Sequence, residues 1–299
     1  MSAMNIQTFA LAIASTVTLW AADSTLLRLI PPDTELVASI DIDRMKSSPS
    51  WPFLLSAASS RFGGLHEFVG SGYDNGIQIH QVVLMMQGEN DELVILRGFA
   101  DDRHLTRLDR PWKDKTQRTL KNARVLVAAA EDEEGVTIWT AALSGWIVIG
   151  PAAKVEAALD RVAHNVAVPS ELEKQVSRAE NEFDAWTILL HRPKWMDIGS
   201  LGLAVNLHQA RFGVRLGAIA SLSGEAAFAN ALEATAVSAL AKTAIEQAQA
   251  EYPKPELANL LPRLSFSTSG ERAILQWVLS GEEFERLLTA WPPGGFAVY

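Results

Sequence analysis

Asp41 and Asp43 are the residues whose type and spacing could most directly do chemistry. Apolar residues at positions 36, 38, 40 and 42 predict a β-strand, in which residues two apart share one face. Two carboxylates on one face could hold a divalent cation or flank the bond that a hydrolase or transferase breaks. The same alternation is also typical of a sheet with one solvated face, where acidic residues need no chemical role. The sequence leaves both interpretations open.

His191 is a third candidate catalytic residue, because it ends a predicted strand and precedes Arg192 and Pro193. The six histidines are too far apart along the chain to form a local metal-binding pair, and no H-E-x-x-H occurs. The G-x-S-x-G and S-x-x-K patterns of hydrolases and penicillin-binding proteins do not occur either. The sequence therefore favours a non-catalytic protein, and it predicts no metal site and no cofactor.

Apart from Trp20, the tryptophans form two groups of four, and one group is a candidate binding surface. Strand patterns contain four of them, which we expect in the core: Trp139, Trp146, Trp186 and Trp277. Four others stand beside prolines or basic residues in predicted loops or helix ends. An indole offers apolar area and one N–H donor, so these four are candidates for a ligand or partner surface: Trp51, Trp112, Trp195 and Trp291.

Charge and composition exclude several classes of protein. The chain has 26 Lys and Arg against 35 Asp and Glu, a net charge of −9, whereas a nucleic-acid-binding protein needs a basic face. Its hydrophobic fraction of 48% is enough for a folded core. The chain has no cysteine, which excludes disulfides, thiolate metal sites and cysteine nucleophiles.

The N-terminal segment predicts export from the cytoplasm. Residues 9–22 are apolar but fall short of the roughly 20 residues that a transmembrane helix needs. They match the hydrophobic region of a signal peptide, with cleavage after Ala21 or Ala22. A buried first helix of a cytoplasmic domain is the alternative, since no Lys or Arg precedes Arg28. We expect a periplasmic or secreted mature chain without a transmembrane span, and without a lipid anchor because it has no cysteine.

Alternating apolar and polar residues predict many short strands, and the short turns between them favour antiparallel hairpins. Amphipathic helices are predicted to follow particular strands. Ser280 and Glu283 have the S-x-x-E spacing of a capping box, and a similar Ser223-Gly224-Glu225 is predicted to open the longest helix, over residues 225–251. The predicted strands cover residues 36–43, 82–86, 93–99, 124–130, 136–143, 146–149, 185–190, 203–208, 212–222, 264–268 and 274–279.

The recurrence of this strand–cap–helix unit predicts an internal repeat. We expect an α+β protein in two related halves, with mainly antiparallel sheets and amphipathic helices packed on one face. The predicted segments are a signal peptide at 1–22, a first half at 23–165 and a second half at 166–299.

Several short motifs follow one another in a recognisable order. Ile30-Pro31-Pro32-Asp33 precedes the first strand, Arg97-Gly98-Phe99 ends a hairpin, and Val148-Ile149-Gly150 precedes a helix. In this order the chain resembles uncharacterised exported bacterial proteins of the domain-of-unknown-function type. The resemblance covers most of the mature chain and implies export and a repeated α+β fold. It implies no catalytic residue.

The function that the sequence favours is that of a non-catalytic extracytoplasmic module. It would bind an unknown envelope or secreted partner or serve as an envelope-associated structural protein. Two alternatives remain: a carboxylate-dependent hydrolase or transferase that uses Asp41 and Asp43, and a carrier that holds an apolar ligand between sheet and helices.

Overall fold

The computed structural model describes residues 24–52, 78–87, 92–99, 115–121, 123–128, 137–143, 145–190, 206–251 and 259–290. In these ranges twelve strands form one sheet, in which all neighbouring strands are antiparallel, and six α-helices accompany it. The predicted α+β class with a mainly antiparallel sheet is therefore confirmed.

The helices and strands follow one another in chain order. Those before residue 166 are α1 (Ser24–Leu29), β1 (Leu36–Asp41), α2 (Ile42–Lys46), β2 (Gln78–Met86), β3 (Glu92–Phe99), β4 (Lys115–Leu120), β5 (Ala123–Ala128), β6 (Ile138–Leu143), β7 (Trp146–Pro151) and α3 (Ala152–Ala163). Those after it are α4 (Ser170–Glu182), β8 (Ala185–Leu189), β9 (Leu207–Leu216), β10 (Ile219–Phe228), α5 (Ala231–Glu251), β11 (Ser265–Ser269), β12 (Arg272–Ser280) and α6 (Gly281–Ala290).

The strands from both sides of residue 165 belong to the same sheet. Its order is β11-β12-β10-β9-β8-β1-β2-β3-β7-β6-β5-β4. The junction is the antiparallel pair of β1 and β8, in which Ser39 lies opposite Trp186. The predicted division at residue 165 falls between α3 and α4, and the sheet runs continuously across it.

Different helices pack on the two faces of the sheet. On one face, leucines of α1 and apolar residues of α3 and α4 pack against inward side chains of the strands, and we call it the α4 face. The other face, the α5 face, is packed by α2, α5 and α6. Burying each large side chain in such a layer contributes about 1.5–3 kcal/mol. Core residues of the α4 face include Leu26, Val37, Val83, Val155, Val176 and Ile188, and those of the α5 face include Met45, Leu216, Ile245, Trp277 and Leu287.

The predicted helix start at Ser223 is wrong, because residues 223–225 lie inside β10. The single strand predicted over 212–222 is two strands, β9 and β10, joined by a tight turn. Helix α5 begins at Ala231, and Asn230 and Glu233 cap it reciprocally. The Glu233 amide donates to Asn230 Oδ1 at 3.0 Å, and Asn230 Nδ2 donates to Glu233 Oε1 at 2.8 Å. This side-chain cap by Asn230 provides the helix start that the Ser-Gly-Glu motif does not.

The predicted capping box of α6 is confirmed. The Ser280 amide donates to Glu283 Oε2 at 2.8 Å, and the Glu283 amide donates to the Ser280 hydroxyl at 3.2 Å. The Ser280 amide lowers the pKa of the Glu283 carboxyl from its ordinary value, and the ion pair with Arg263 lowers it further. Glu283 therefore stays ionised, and its hydrogen bonds with Ser280 stabilise the first turn of α6.

An arginine holds the C-terminal end of α4. Arg44 Nη1 donates to the carbonyl oxygens of Glu180 at 2.6 Å and Phe183 at 2.9 Å, where the helix leaves carbonyls without internal partners. Arg44 Nη2 pairs with Asp184 Oδ1 at 2.8 Å, and the Leu216 amide donates to Asp184 Oδ2 at 2.6 Å. This polar group therefore connects α2, α4 and β9.

In the described ranges, no helix has both the length and the apolar character needed to cross a membrane.

Candidate functional site

The α4 face of strands β9 to β12 forms a surface that we call the open face. Strand alternation and the register place its side chains in rows across the strands. Ser221 lies opposite both Arg215 and Val278, and Ser223 lies opposite Gln276. Helix α4 packs on β8 and β9 and borders this surface. The side chains of the open face are Arg211, Arg215, Ile219, Ser221, Ser223, Glu225, Ala227, Ser265, Ser267, Ser269, Arg272, Ile274, Gln276 and Val278.

Two large apolar side chains of the open face are in contact with solvent. Ile219 is 59% exposed and Val278 is 50% exposed, and they stand diagonally to each other on β10 and β12. Small polar residues lie beside them, among them Ser221 and Ser223. On the opposite face of the same strands, Trp277 and Leu279 are buried beneath helices. Strands β10 and β12 are thus packed on one side and open on the other.

A cluster of arginines and glutamates lies where α4 meets the open face. Arg178 Nε lies 2.8 Å from Glu182 Oε1, and Arg211 Nη2 lies 3.2 Å from Glu182 Oε2. Glu225 pairs with Arg272 and also lies 3.9 Å from Arg211. The cluster connects α4 to β9, β10 and β12, and its side chains point to the border of the open face.

Arg211 is the most buried member of this cluster, only 8% exposed. Its guanidinium carbon lies 5.8 Å from the centre of the Phe183 ring, which is a cation–π distance. Burial lowers the pKa of Arg211 from its ordinary value, although Glu182 and Glu225 act against this. Because an arginine starts from a very high pKa, Arg211 remains a cation. Arg211 therefore keeps its positive charge near neutral pH.

The open face is positive, although the whole chain has a net charge of −9. Its strands carry Arg211, Arg215 and Arg272 against Glu225, which leaves a net charge of +2. Arg215 is exposed and forms no ion pair with any other residue in the described ranges. This local reversal of sign suits an anionic binding partner.

Asp41 and Asp43 do not share a strand face. Strand β1 ends at Asp41, two residues before the predicted end, because Asp41 caps α2 by accepting a hydrogen bond from the Arg44 amide at 3.0 Å. Asp43 lies in the first turn of α2, and its Oδ2 is 2.6 Å from His80 Nδ1. The Asp43 side chain is 53% exposed. The structure therefore gives the two carboxylates different partners, a helix end and a histidine.

The other predicted site residues lie in different environments. Trp51 is half-buried and packs between the clusters around Ile42 and Met45. The four strand tryptophans are buried, as predicted. His191, Trp112, Trp195 and Trp291 lie outside the described residues. Within the described ranges, no group of three or more His, Asp or Glu could hold a metal ion.

The arginines of the open face were not among the sequence candidates. Arg211 and Arg215 alternate with Phe212 and Val214, which is the pattern of a strand with one polar face. That pattern indicates the shared face of the two arginines. Their proximity to Arg178 and Arg272 depends on the order of strands in the sheet, which the local pattern does not contain.

Comparison with known proteins identifies a similar fold but no family. No protein-family model matches the chain. No curated protein matches it. Among solved structures, crystal form I of TP0453 is similar with a TM-score of 0.51 and 9% sequence identity, covering 91% of this chain and 100% of that chain. Crystal form III of TP0453 has a TM-score of 0.46 and 11% identity, covering 88% and 96%. The likeness to crystal form I concerns the fold alone.

Proposed function

We propose that the mature chain is a non-catalytic extracytoplasmic binding module and that the open face receives an envelope or secreted partner. The observation that supports this most directly is the exposure of Ile219 and Val278 on strands whose other face is buried. Exposed apolar side chains rimmed by polar ones are typical of interaction sites. The alternatives of a carboxylate-dependent hydrolase or transferase and of an apolar carrier stay predictions from sequence.

We also propose that the chain is exported. The support is the apolar sequence of residues 9–22, which matches the hydrophobic region of a signal peptide with cleavage after Ala21 or Ala22.

We also propose that the two halves are related, as their strand–helix recurrence predicts. The strands of the first half include the order β1-β2-β3-β7-β6, and those of the second have the order β8-β9-β10-β12-β11. Each series is preceded by a helix whose C-terminal carbonyls bind an arginine. Arg161 Nη2 donates to Leu29 O at 2.8 Å at the end of α1, as Arg44 does at the end of α4.

The proposed binding surface is tested by a charge placed in its apolar part. Replacing Val278 by Asp should reduce retention of the partner from an envelope extract by about tenfold or more, because the carboxylate must be desolvated at the interface. The measurement is quantitative mass spectrometry of material retained on the immobilised mature chain. Since Val278 is 50% exposed, the substitution should leave the fold intact, and circular dichroism checks this.

Leu232→Asp is the matched control. Leu232 is 79% exposed at the start of α5, away from the open face, so its substitution should leave retention unchanged. If Val278→Asp and Leu232→Asp retain the same material as the unmodified chain, the open face is not the partner surface.

A further inference from the structure

We propose that the occupant of the open face is an acidic amphipathic helix of the partner, packed beside α4. This inference rests on the proposed function, since it names the chemistry of the partner at the same surface. Three observations carry it: the dimensions of the surface, its charge and the position of its apolar side chains.

The dimensions of the open face match one helix. Helix α4 occupies β8 and β9, which leaves β10, β12 and β11 beside it on the same side of the sheet. Three strands about 4.8 Å apart give a floor roughly as wide as a helix with its side chains, about 10–12 Å. Strand β12 has nine residues and is therefore about 30 Å long, the length of a helix of about 20 residues.

The side chains of the floor differ in size across its three strands. Small side chains, among them Ser221 and Ser267, lie on the flanking strands β10 and β11, and the central strand β12 carries the larger Ile274 and Val278. Ile219 and Val278 stand at one end of the floor and offer apolar contacts. An occupant must therefore present a narrow apolar stripe to the sheet, as an amphipathic helix does.

The charges around the floor determine the sign of the charge that an occupant must carry. Arg215 borders the floor near Val278, and Arg272 stands at the opposite end of β12. Arg178 stands on the wall that α4 forms. Arg272 and Arg178 already have carboxylate partners, but Arg215 has no ion pair within the described residues. A helix with Asp or Glu along the flanks of its apolar stripe would pair with Arg215 and match the local charge of +2.

The experiment places a photo-crosslinking amino acid, p-benzoylphenylalanine, at Gln276 in the full chain in its own envelope. Gln276 is exposed and lies in the middle of β12. Mass spectrometry then identifies the cross-linked segment. We expect a segment of another protein with an apolar residue every three or four positions and flanking carboxylates. A basic or uncharged segment, a second copy of this chain, a lipid adduct or the absence of an adduct would each overturn the inference.

Charge reversal at Arg215 gives a second measurement that does not depend on the crosslinker. Arg215→Glu should lower the yield of the adduct about tenfold, because like charges then face each other across the interface. The matched control is Arg286→Glu, which reverses an exposed arginine on α6 and should leave the yield unchanged. Equal yields in the two variants would overturn the acidic character of the occupant.

The two proposals can fail separately. Suppose that Val278→Asp abolishes retention of the partner but that the cross-linked segment is not acidic or lacks the pattern of a helix. The open face then remains the partner surface, and the inference of an acidic helix is wrong. If Val278→Asp has no effect on retention, the proposed function itself is contradicted.

Discussion

Replacing Asp184 by Ala should lower the free energy of unfolding by about 1–3 kcal/mol, the range expected when a buried donor is left without its acceptor. The Asp184 side chain is 6% exposed and accepts from Arg44 Nη2 and from the Leu216 amide. Without the carboxylate, Arg44 Nη2 and the Leu216 N–H lose their acceptor, while Arg44 Nη1 keeps the carbonyl oxygens of Glu180 and Phe183. The measurement is equilibrium unfolding in urea followed by tryptophan fluorescence.

The control for this prediction is Asp43→Ala, which removes a carboxylate from the neighbouring helix α2. The Asp43 side chain is 53% exposed and contacts His80 at the surface. Exposed ion pairs contribute about 0–1 kcal/mol, so this variant should unfold close to the unmodified chain. A loss at Asp184 no larger than the loss at Asp43 would mean that the Arg44 group does not hold α4 to the sheet.

Gly213→Ala should destabilise the protein by about 3 kcal/mol, at the upper end of the cost of overpacking a core. A Cβ at this position would lie 2.1 Å from Cγ of Phe183, which is 6% exposed. The ring follows directly after α4 and lies beneath Arg211, so it cannot move without disturbing the helix end and the arginine–glutamate cluster. Urea unfolding measures the loss.

Gly224→Ala is the matched control, because it makes an equally short contact with a side chain that can move. Its Cβ would lie 2.2 Å from Cδ1 of Phe212, which is 37% exposed. The Phe212 ring can rotate toward solvent, so we expect a loss of less than about 1 kcal/mol. Equal losses in the two variants would show that burial of the ring does not decide the cost.

Much of the sheet could be predicted because strand alternation is a local property. The pattern around Trp146 and around Trp277 predicts strands whose tryptophans are buried, and both are. The capping box of Ser280 and Glu283 is likewise contained within four residues. The helix start predicted at Ser223 failed because Gly224 packs against Phe212 of a neighbouring strand, and that contact is set by tertiary structure.

The candidate site is harder to predict from the sequence, because it depends on contacts that tertiary structure sets. A continuous strand would place Asp41 and Asp43 on one face, whereas the cap that Asp41 forms ends the strand before Asp43. The open face depends on β9, β10, β12 and β11 lying side by side, while the chain between β10 and β11 contains a 21-residue helix. Its positive charge can be recognised only once the strand order puts Arg211, Arg215 and Arg272 on the same side of the sheet.

The central proposal, that the chain is exported and that a partner in the envelope covers its open face, is tested most directly by thiol labelling in cell envelopes. Because the chain has no cysteine, a Gln276→Cys variant reports on the open face alone, and an Ala239→Cys variant reports on the exposed side of α5. Both thiols should react with a polar maleimide at similar rates in the purified protein. In the envelope we predict that the thiol at position 276 reacts about tenfold more slowly, while the thiol at position 239 reacts as before. Equal labelling of the two positions in the envelope would contradict the claim.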